Sequence, residues 1–218
     1  MKSSASHPPT SRAESAAATR VRVLTAAERL LLRDGWAGTT IRAIAREAEV
    51  SPETIYKGFG SKAALLKSVY DVRIAGDDAP IPIAEREGIV RLRAAATPDE
   101  AADAWAAHAL TINARSAPLI ALALRAQAGE PALADFVRAT DAERMTGADR
   151  TAAHWEGLGW LRVPHPQARD RIWLLGSPAS YLDLLDLGWG EPQIHEWYRS
   201  FLVGLVLRVA PAARSLHS

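Results

Sequence analysis

Apolar side chains recur at helical spacing along nearly the whole chain. In residues 16–34 they fall at positions i, i+4, i+7 and i+8 from Val23, with arginines between them, which is the pattern of an amphipathic helix. Gly35 follows this segment and is a residue that commonly ends helices. No segment shows the strict alternation of a half-buried strand, and no internal repeat is present. The pattern therefore predicts an all-α protein.

Two short helices joined by a tight turn are predicted in residues 39–59. Thr39 or Thr40 can cap the first helix, and Ser51 can cap the second with Pro52 as its first residue. A second helix that opens with small polar residues can enter the major groove of DNA with its N-terminus first. This region is therefore a candidate helix-turn-helix.

The rest of the chain also has a helical pattern, interrupted by Gly- and Pro-containing connections. A fourth helix begins at Lys62, and the Gly, Asp and Pro content of residues 76–83 predicts a loop. Thr97 and Glu100 form a capping-box pattern ahead of a long apolar stripe. The later helices are predicted over residues 85–95, 97–115, 118–128, 131–157, 167–187 and 191–209.

The last two predicted helices carry apolar residues around most of their circumference, and Pro178 is expected to kink or interrupt the first of them. Such helices need cover on two sides, so we predict a four-helix bundle formed by this pair from two copies of the chain. An ordinary core within one chain is the alternative. The predicted dimer interface comprises Ile172, Leu175, Leu182, Ile194, Trp197, Tyr198, Phe201, Leu202 and Leu205.

Composition places the chain among ordinary globular proteins. Its 218 residues are 48% hydrophobic and 23% charged, and they include no cysteine, so neither a disulfide framework nor a thiolate zinc site can form. The first fifteen residues lack the apolar region of a signal peptide, and no stretch has the length and apolarity of a membrane span. We expect a soluble cytoplasmic protein with a disordered tail at residues 1–15.

The charge is divided unevenly along the chain. Residues 1–75 hold 12 basic and seven acidic side chains, which gives a net charge of +5. The remaining residues hold 14 basic and 18 acidic side chains, which gives a net charge of −4. A basic surplus around a candidate helix-turn-helix is typical of a nucleic-acid-binding module, although a modest surplus also occurs on plain solvated surfaces.

Many spaced positions between residues 20 and 70 resemble the tetracycline-repressor (TetR) family. The matching residues are Gly35-Trp36, Thr39-Thr40-Ile41, Ile44-Ala45, Val50-Ser51, Thr54-Ile55-Tyr56, Phe59-Gly60-Ser61-Lys62 and Leu65-Leu66. The resemblance implies a homodimeric regulator that binds double-stranded DNA at a palindromic operator and senses a small organic ligand. It implies a DNA-binding domain at residues 16–62 and a helical ligand-sensing and dimerisation domain at 63–218.

The resemblance also implies which residues face DNA. Thr40 and Lys62 are expected to bind phosphates at helix N-termini, and Arg42 to reach a phosphate or a groove edge. Tyr56 either bonds a phosphate through its hydroxyl or packs on a thymine methyl. Glu53 is ambiguous, because it can accept from cytosine N4 or simply favour the helix dipole. The implied set is Thr40, Arg42, Ser51, Pro52, Glu53, Thr54, Tyr56, Lys57 and Lys62.

Two residues depart from the family pattern. Glu49 stands where glycine is usual in the turn, so a non-glycine residue is expected at positive φ, at a cost of about 1 kcal/mol. Gly58 stands where a bulkier residue is common, so a less rigid end of the recognition helix is expected. DNA affinity would then depend more on Lys57 and Lys62.

Large side chains beside alanines in the C-terminal part suggest a concave apolar site for a small organic ligand, although plain core packing is an alternative for each residue. The predicted ligand-contacting residues are Trp105, His108, Ile112, Met145, Trp155 and Trp173. No metal or other cofactor is predicted.

Two other functions compete with this interpretation. A helical-bundle enzyme of the di-iron type would need Glu-x-x-His, which the sequence lacks, and phosphate-loop, dinucleotide, nucleophile-elbow and His-Glu-x-x-His motifs are also absent. We therefore predict no catalytic residues. A ligand-independent activator or architectural DNA-binding protein is the second rival, and the sequence does not separate it from a repressor.

Overall fold

A computed structural model describes residues 12–79, 81–82 and 85–208 of the chain. Apart from one isolated bridge between Leu161 and Leu207, the regular structure of these residues is helical, which confirms the all-α prediction. The helices are α1 (Arg12–Gly38), α2 (Ile41–Glu47), α3 (Pro52–Phe59), α4 (Lys62–Ala75), α5 (Glu87–Ala94), α6 (Pro98–Ala126), α7 (Pro131–Gly157), α8 (His165–Leu175), α9 (Pro178–Asp186) and α10 (Glu191–Leu205).

Most of the predicted tail lies outside the described residues, but residues 12–15 already belong to α1. The predicted end of the last helix, Val209, also lies outside the described residues.

The described part of the chain divides into two compact units, one within residues 1–78 and 122–136 and the other within residues 79–121 and 137–218. The sequence-predicted domain boundary at residue 62 lies within the first unit. In that unit α1 packs on α2 and α4, while α3 packs on α2 and α4. Its core contains Leu31, Ile44, Ile55, Leu65, Leu66 and Tyr70, all at most 1% exposed. Burial of these apolar side chains fixes the angle between α2 and α3.

The second unit has a core of aromatic, aliphatic and alanine side chains. Trp155, Ile194, Tyr198 and Leu202 have no exposed surface, and the Trp105 and Tyr198 rings meet edge to face with centroids 5.8 Å apart. The buried amide of Asn113 donates from Nδ2 to the Tyr198 hydroxyl over 3.1 Å. This bond ties α6 to α10 inside an otherwise apolar core.

One proline, Pro118, is accommodated within a helix, whereas another, Pro178, begins one. Pro118 lies inside α6, where the sequence predicts a new helix to begin. Proline lacks the N–H that would reach the Ala114 carbonyl, but both residues are exposed, so water can satisfy that carbonyl and the helix continues. Pro178, by contrast, begins α9 after a break at Gly176 and Ser177, in agreement with the predicted interruption.

His165, the first residue of α8, lies between two carboxylates of α7. Its Nε2 is 2.9 Å from Asp149 Oδ1 and its Nδ1 is 3.0 Å from Glu156 Oε2. Hydrogen bonds to Asp149 and Glu156 raise the pKa of this imidazole above its ordinary value. The protonated form is thus favoured in the folded state.

We expect this His165 contact to stabilise the protein in acid and to fade as the pH rises. A raised folded pKa gives a contribution that is complete below the unfolded pKa of about 6.5 and is lost as the pH passes the folded pKa. Because the group is near solvent, the contribution should not exceed about 1 kcal/mol. The Tm difference between wild type and His165→Gln should shrink from pH 6 to pH 8.5, and a constant difference would contradict this assignment.

No helix within the described ranges has the length and apolar content needed to cross a membrane.

Candidate nucleic-acid interface

The helix α3 is held firmly at both ends. Ser51 is its N-cap, with Oγ accepting from the Thr54 N–H over 3.2 Å, and Pro52 is its first residue, as predicted. Gly60 ends it at a φ of 80°, a conformation that favours glycine. Ile55, only 1% exposed, anchors the helix in the core. The caps and this anchor position α3 within the first unit.

The other side of α3 is open to solvent. Glu53, Thr54, Tyr56 and Lys57 are exposed, and the aromatic Tyr56 has 54% of its surface accessible. Pro52 is half-buried. An exposed tyrosine next to an exposed lysine on a short rigid helix offers an apolar ring, a hydroxyl and a cation to one ligand surface.

The Glu53 side chain forms hydrogen bonds at the N-terminus of α3. Its carboxylate accepts from its own backbone N–H and from the Ser51 hydroxyl, and these bonds lower the pKa of the carboxyl below its usual value. Of the two roles that the sequence leaves open for Glu53, this geometry favours stabilisation of the helix N-terminus.

Thr40 caps α2, which decides between the two threonines that the sequence allows. Its Oγ1 accepts from the Ala43 N–H over 3.1 Å, whereas Thr39 is 1% exposed and donates its hydroxyl to the Gly35 carbonyl over 2.8 Å. Arg42, in the first turn of α2, is exposed. Thr40 and Arg42 thus lie at a solvent-facing helix start.

The turn between α2 and α3 contains a strained residue. Glu49 has a φ of 56°, the only positive φ of a non-glycine residue in the part of the chain that the structure describes. This confirms the sequence-based expectation for Glu49. Arg22 of α1 donates from Nε to the Ala48 carbonyl over 3.2 Å and so braces the turn from outside.

Replacing Glu49 by glycine is expected to raise the free energy of unfolding by about 0.5–1 kcal/mol. The left-handed conformation costs a non-glycine residue about 1–2 kcal/mol, and the greater freedom of glycine in the unfolded chain offsets about 0.5–1 kcal/mol. Urea unfolding followed by circular dichroism measures the change. Glu49→Ala is the matched control because it keeps the strain, and an equal gain in both variants would assign the effect to the lost charge instead.

Gly58 lies in the last turn of α3, and a Cβ added there would meet no atom within 4 Å. Gly58→Ala should therefore stabilise the protein by about 0.5–1 kcal/mol, because alanine restricts the unfolded chain and favours helix. Gly60→Ala, two residues later, should destabilise it, since position 60 has positive φ. Paired urea titrations check both signs, and a loss of stability in Gly58→Ala would refute the assignment.

Lys62 is not arranged as the resemblance implies. The side chain is half-buried, and its Nζ donates to the carbonyls of Trp36 and Thr39 over 2.7 and 2.8 Å. The ammonium also lies 3.9 Å from the centroid of the Trp36 ring. Two of the three N–H groups of the ammonium therefore already donate to carbonyls of the first unit.

Two arginines of α1 contact residues beside the candidate interface. Nothing in the sequence distinguishes them from the other arginines of this helix. Besides Arg22, Arg20 lies with its guanidinium 5.2 Å from the Phe59 ring centroid, at the end of α3, and pairs with Asp78 over 2.9 Å. The contacts join residues far apart in sequence, so composition and periodicity do not reveal them.

The predicted ligand-contacting residues all lie in the second unit, where Trp105 and Trp155 belong to the core. The indole nitrogens of Trp155 and Trp173 are buried with no hydrogen-bond partner. His108, Ile112, Met145 and Trp173 are half-buried.

His108 packs closely against Gly88 of α5, where a Cβ would overlap its Nδ1. Burial, followed by the charge of Arg115, lowers the pKa of this imidazole. The histidine thus packs against α5 in a setting that favours the neutral form of its ring.

The predicted dimer interface requires a correction. Five of its members are at most 2% exposed inside one chain, so they form the core of the second unit and cannot touch another copy: Ile172, Leu175, Ile194, Tyr198 and Leu202. The alternative of an ordinary core within one chain applies to these five. The other four predicted members, Leu182, Trp197, Phe201 and Leu205, keep exposed surface.

The apolar residues of α10 that keep some exposed surface form a second stripe beside the buried one, and two of them, Trp197 and Phe201, also pack against the core. Trp197, Phe201 and Leu205 follow one another at intervals of four, and Leu205 is 46% exposed. Leu174 and Leu187 are 59% and 74% exposed. A stripe of apolar side chains that stays partly accessible along one helix is typical of a protein-protein interface.

In the residues that the coordinates cover, no group of three or more acidic or histidine side chains is placed to hold a metal ion.

Residues 23–69 match the family model for bacterial regulatory proteins of the tetR family. No curated protein matches the chain. The match covers α2 and α3 in full, together with most of α1 and the first half of α4.

Solved structures share the fold over most of the chain. A TetR transcriptional regulator from Chloroflexus aurantiacus is 19% identical, with a TM-score of 0.63 over 89% of this chain and 99% of that one. A protein from Rhodococcus sp. described as a TetR-family transcriptional regulator is 13% identical, with a TM-score of 0.64 over 87% and 98%. A protein described as a transcriptional regulator from Saccharomonospora viridis, solved with choline, is 17% identical, with a TM-score of 0.65 over 88% and 100%.

Proposed function

We propose that this chain, which belongs to the tetR family of bacterial regulatory proteins through its N-terminal domain, is a cytoplasmic repressor that a small organic ligand releases from a palindromic operator. The observation that carries the proposal is the exposed face of α3, where Thr54, Tyr56 and Lys57 are accessible to solvent on a helix capped at both ends. Phosphate contacts from Thr40 and Arg42 would set the register of this helix in the major groove.

Homodimerisation is part of the proposal. A palindromic operator presents two equal half-sites, so two recognition helices related by a two-fold axis are needed to read it. The accessible stripe Trp197, Phe201 and Leu205, with Leu174 and Leu187, supports an apolar contact between two copies. This surface replaces the buried residues of the sequence-based interface.

Ligand sensing is assigned to the second unit. Two buried indole N–H groups without partners, those of Trp155 and Trp173, favour a ligand that brings hydrogen-bond acceptors. The Arg144 guanidinium lies 5.2 Å from the Trp173 ring centroid, where its Nη1 donates to Asp141 and its Nη2 to the Trp173 carbonyl. The choline bound by the Saccharomonospora viridis protein shows that one protein of this fold holds a small organic molecule.

Ligand binding would weaken DNA binding by favouring a state in which α4 is tilted and the two recognition helices are wrongly spaced. By linkage, the ligand reduces DNA affinity only to the extent that it prefers that state. Equal ligand affinity for free and operator-bound protein would therefore contradict this mechanism.

Selection of bound duplexes from a random pool tests the DNA-binding proposal directly. A palindromic consensus is expected, with a large affinity ratio over scrambled DNA that persists as salt is raised. Affinity that falls steeply and equally for all sequences would favour the rival architectural protein. A metabolite panel can then be screened by quenching of the seven tryptophans.

A further inference from the structure

The ammonium of Lys62 occupies a site built by the end of α1. Gly35 breaks that helix with a φ of 72° and a ψ of −178°, so the chain leaves the helical path before Trp36. The carbonyls of Trp36 and Thr39 then point at Lys62 Nζ over 2.7 and 2.8 Å. A cation is the natural partner for carbonyls at such a helix end.

The contacts connect the start of α4 with the start of α2. Lys62 is the first residue of α4, while Thr39 immediately precedes Thr40, the N-cap of α2. The Thr39 hydroxyl bonds the Gly35 carbonyl over 2.8 Å, so the same short segment is held from both sides. Loss of the ammonium would leave the Thr39 carbonyl without its cation and would free the α2 N-terminus to move relative to α4.

The electrostatic setting agrees with an internal role. Burial lowers the pKa of the Lys62 ammonium, with a smaller opposite effect from Glu130. An ammonium that gives two N–H groups to carbonyls and rests on the Trp36 ring has little left to offer a phosphate.

We propose that Lys62 is a positioning residue, which orients α2 through the Trp36 and Thr39 carbonyls, and that it is not a phosphate ligand. This inference rests on the proposed function, because its effect is measured on DNA. It replaces the phosphate contact that the sequence resemblance implies for this lysine.

The salt dependence of DNA binding separates the two roles. Each phosphate contact contributes about 0.9 to the slope of log K against log salt, so Lys57→Met should lower that slope by about 0.9. Lys62→Met makes the same chemical change five residues away and should leave the slope unchanged. Lys62→Met should lower the affinity for the selected operator by roughly tenfold, because recognition of the base sequence depends on the orientation of the helices. The affinity for a scrambled duplex of equal length should stay unaltered. Measurements at a temperature where circular dichroism shows both variants fully folded keep a simple stability loss from imitating this result.

A second measurement needs no variant to fold. The chain has four lysines, Lys2, Lys57, Lys62 and Lys67, so their ammonium groups can be followed individually by nitrogen-15 NMR. The Lys62 ammonium should exchange slowly in the free protein and keep its chemical shift when the operator duplex binds, while that of Lys57 shifts.

Any of the following outcomes would overturn the proposal: a salt slope lowered by about 0.9 in Lys62→Met, an equal loss of affinity for operator and scrambled DNA, or a Lys62 ammonium that shifts on DNA binding as Lys57 does. Unchanged operator affinity in the folded Lys62→Met protein would also refute a positioning role. A wild-type chain that selects no duplex would refute the proposed function instead, and slow exchange of the Lys62 ammonium would still report its internal contacts.

Discussion

A Phe201→Glu variant is expected to be a folded monomer with operator affinity reduced by at least about 100-fold. Phe201 is the centre of the accessible stripe on α10, between Trp197 and Leu205. A carboxylate buried there in an apolar contact between copies would cost several kcal/mol, and about 2.7 kcal/mol already corresponds to a factor of 100. Sedimentation equilibrium should give the chain mass of 23.5 kDa for the variant and twice that mass for wild type.

Two further variants make the result interpretable. Ser200→Glu places the same charge on the outward side of α10 and should remain dimeric. Leu205→Glu changes a residue that is already 46% exposed, so it should disrupt dimers without disturbing the core of one chain. A dimer of wild-type affinity in both Phe201→Glu and Leu205→Glu would exclude this face of α10 as the interface.

Tyr56→Ala should lower operator affinity by about 10- to 100-fold, which corresponds to roughly 1–3 kcal/mol for a direct contact in the groove. Tyr56 is 54% exposed on α3, so its truncation should leave the Tm and the dimer unchanged. Gel shifts with the selected operator measure the loss, and sedimentation tests the dimer.

Tyr56→Phe distinguishes the two contacts that remain open for this residue. If the ring packs on a thymine methyl, Phe should keep most of the affinity, and the preference for thymine at one position should survive. If the hydroxyl bonds a phosphate, Phe should lose nearly as much as Ala, and equally for all operator variants. If Tyr56→Ala bound the operator with wild-type affinity, the exposed face of α3 would not be the recognition surface.

Local chemistry made most of the helix boundaries in the N-terminal part predictable. Ser51 and Pro52 mark the start of α3 because a hydroxyl acceptor and a preset φ act within one helical turn. The positive φ of Glu49 could also be anticipated, because the turn geometry requires it whatever residue is present. Such features depend on neighbours in sequence, which a linear pattern contains.

Contacts between distant segments could not be predicted in the same way. Apolar periodicity on α10 identifies Ile194, Tyr198 and Leu202 as buried, but it does not say whether their cover comes from the same chain or from another copy. Lys62 presents a similar difficulty: a lysine at a helix start fits a phosphate contact, and only the folded path after Gly35 reveals that two carbonyls reach it first. Arg20 and Arg22 are likewise indistinguishable in sequence from the other arginines of α1.

Burial of the Tyr198 phenol, whose oxygen accepts from the Asn113 amide, makes the second unit sensitive to alkali. Burial raises the pKa of the Tyr198 phenol to about 12, whereas an unfolded tyrosine gives up its proton near pH 10. The folded chain therefore retains a proton that the unfolded chain releases, and stability declines as the pH rises from about 10 towards 12. Strong base should thus weaken the packing of α6 on α10, by ionising a phenol that neither DNA nor a second copy needs to touch.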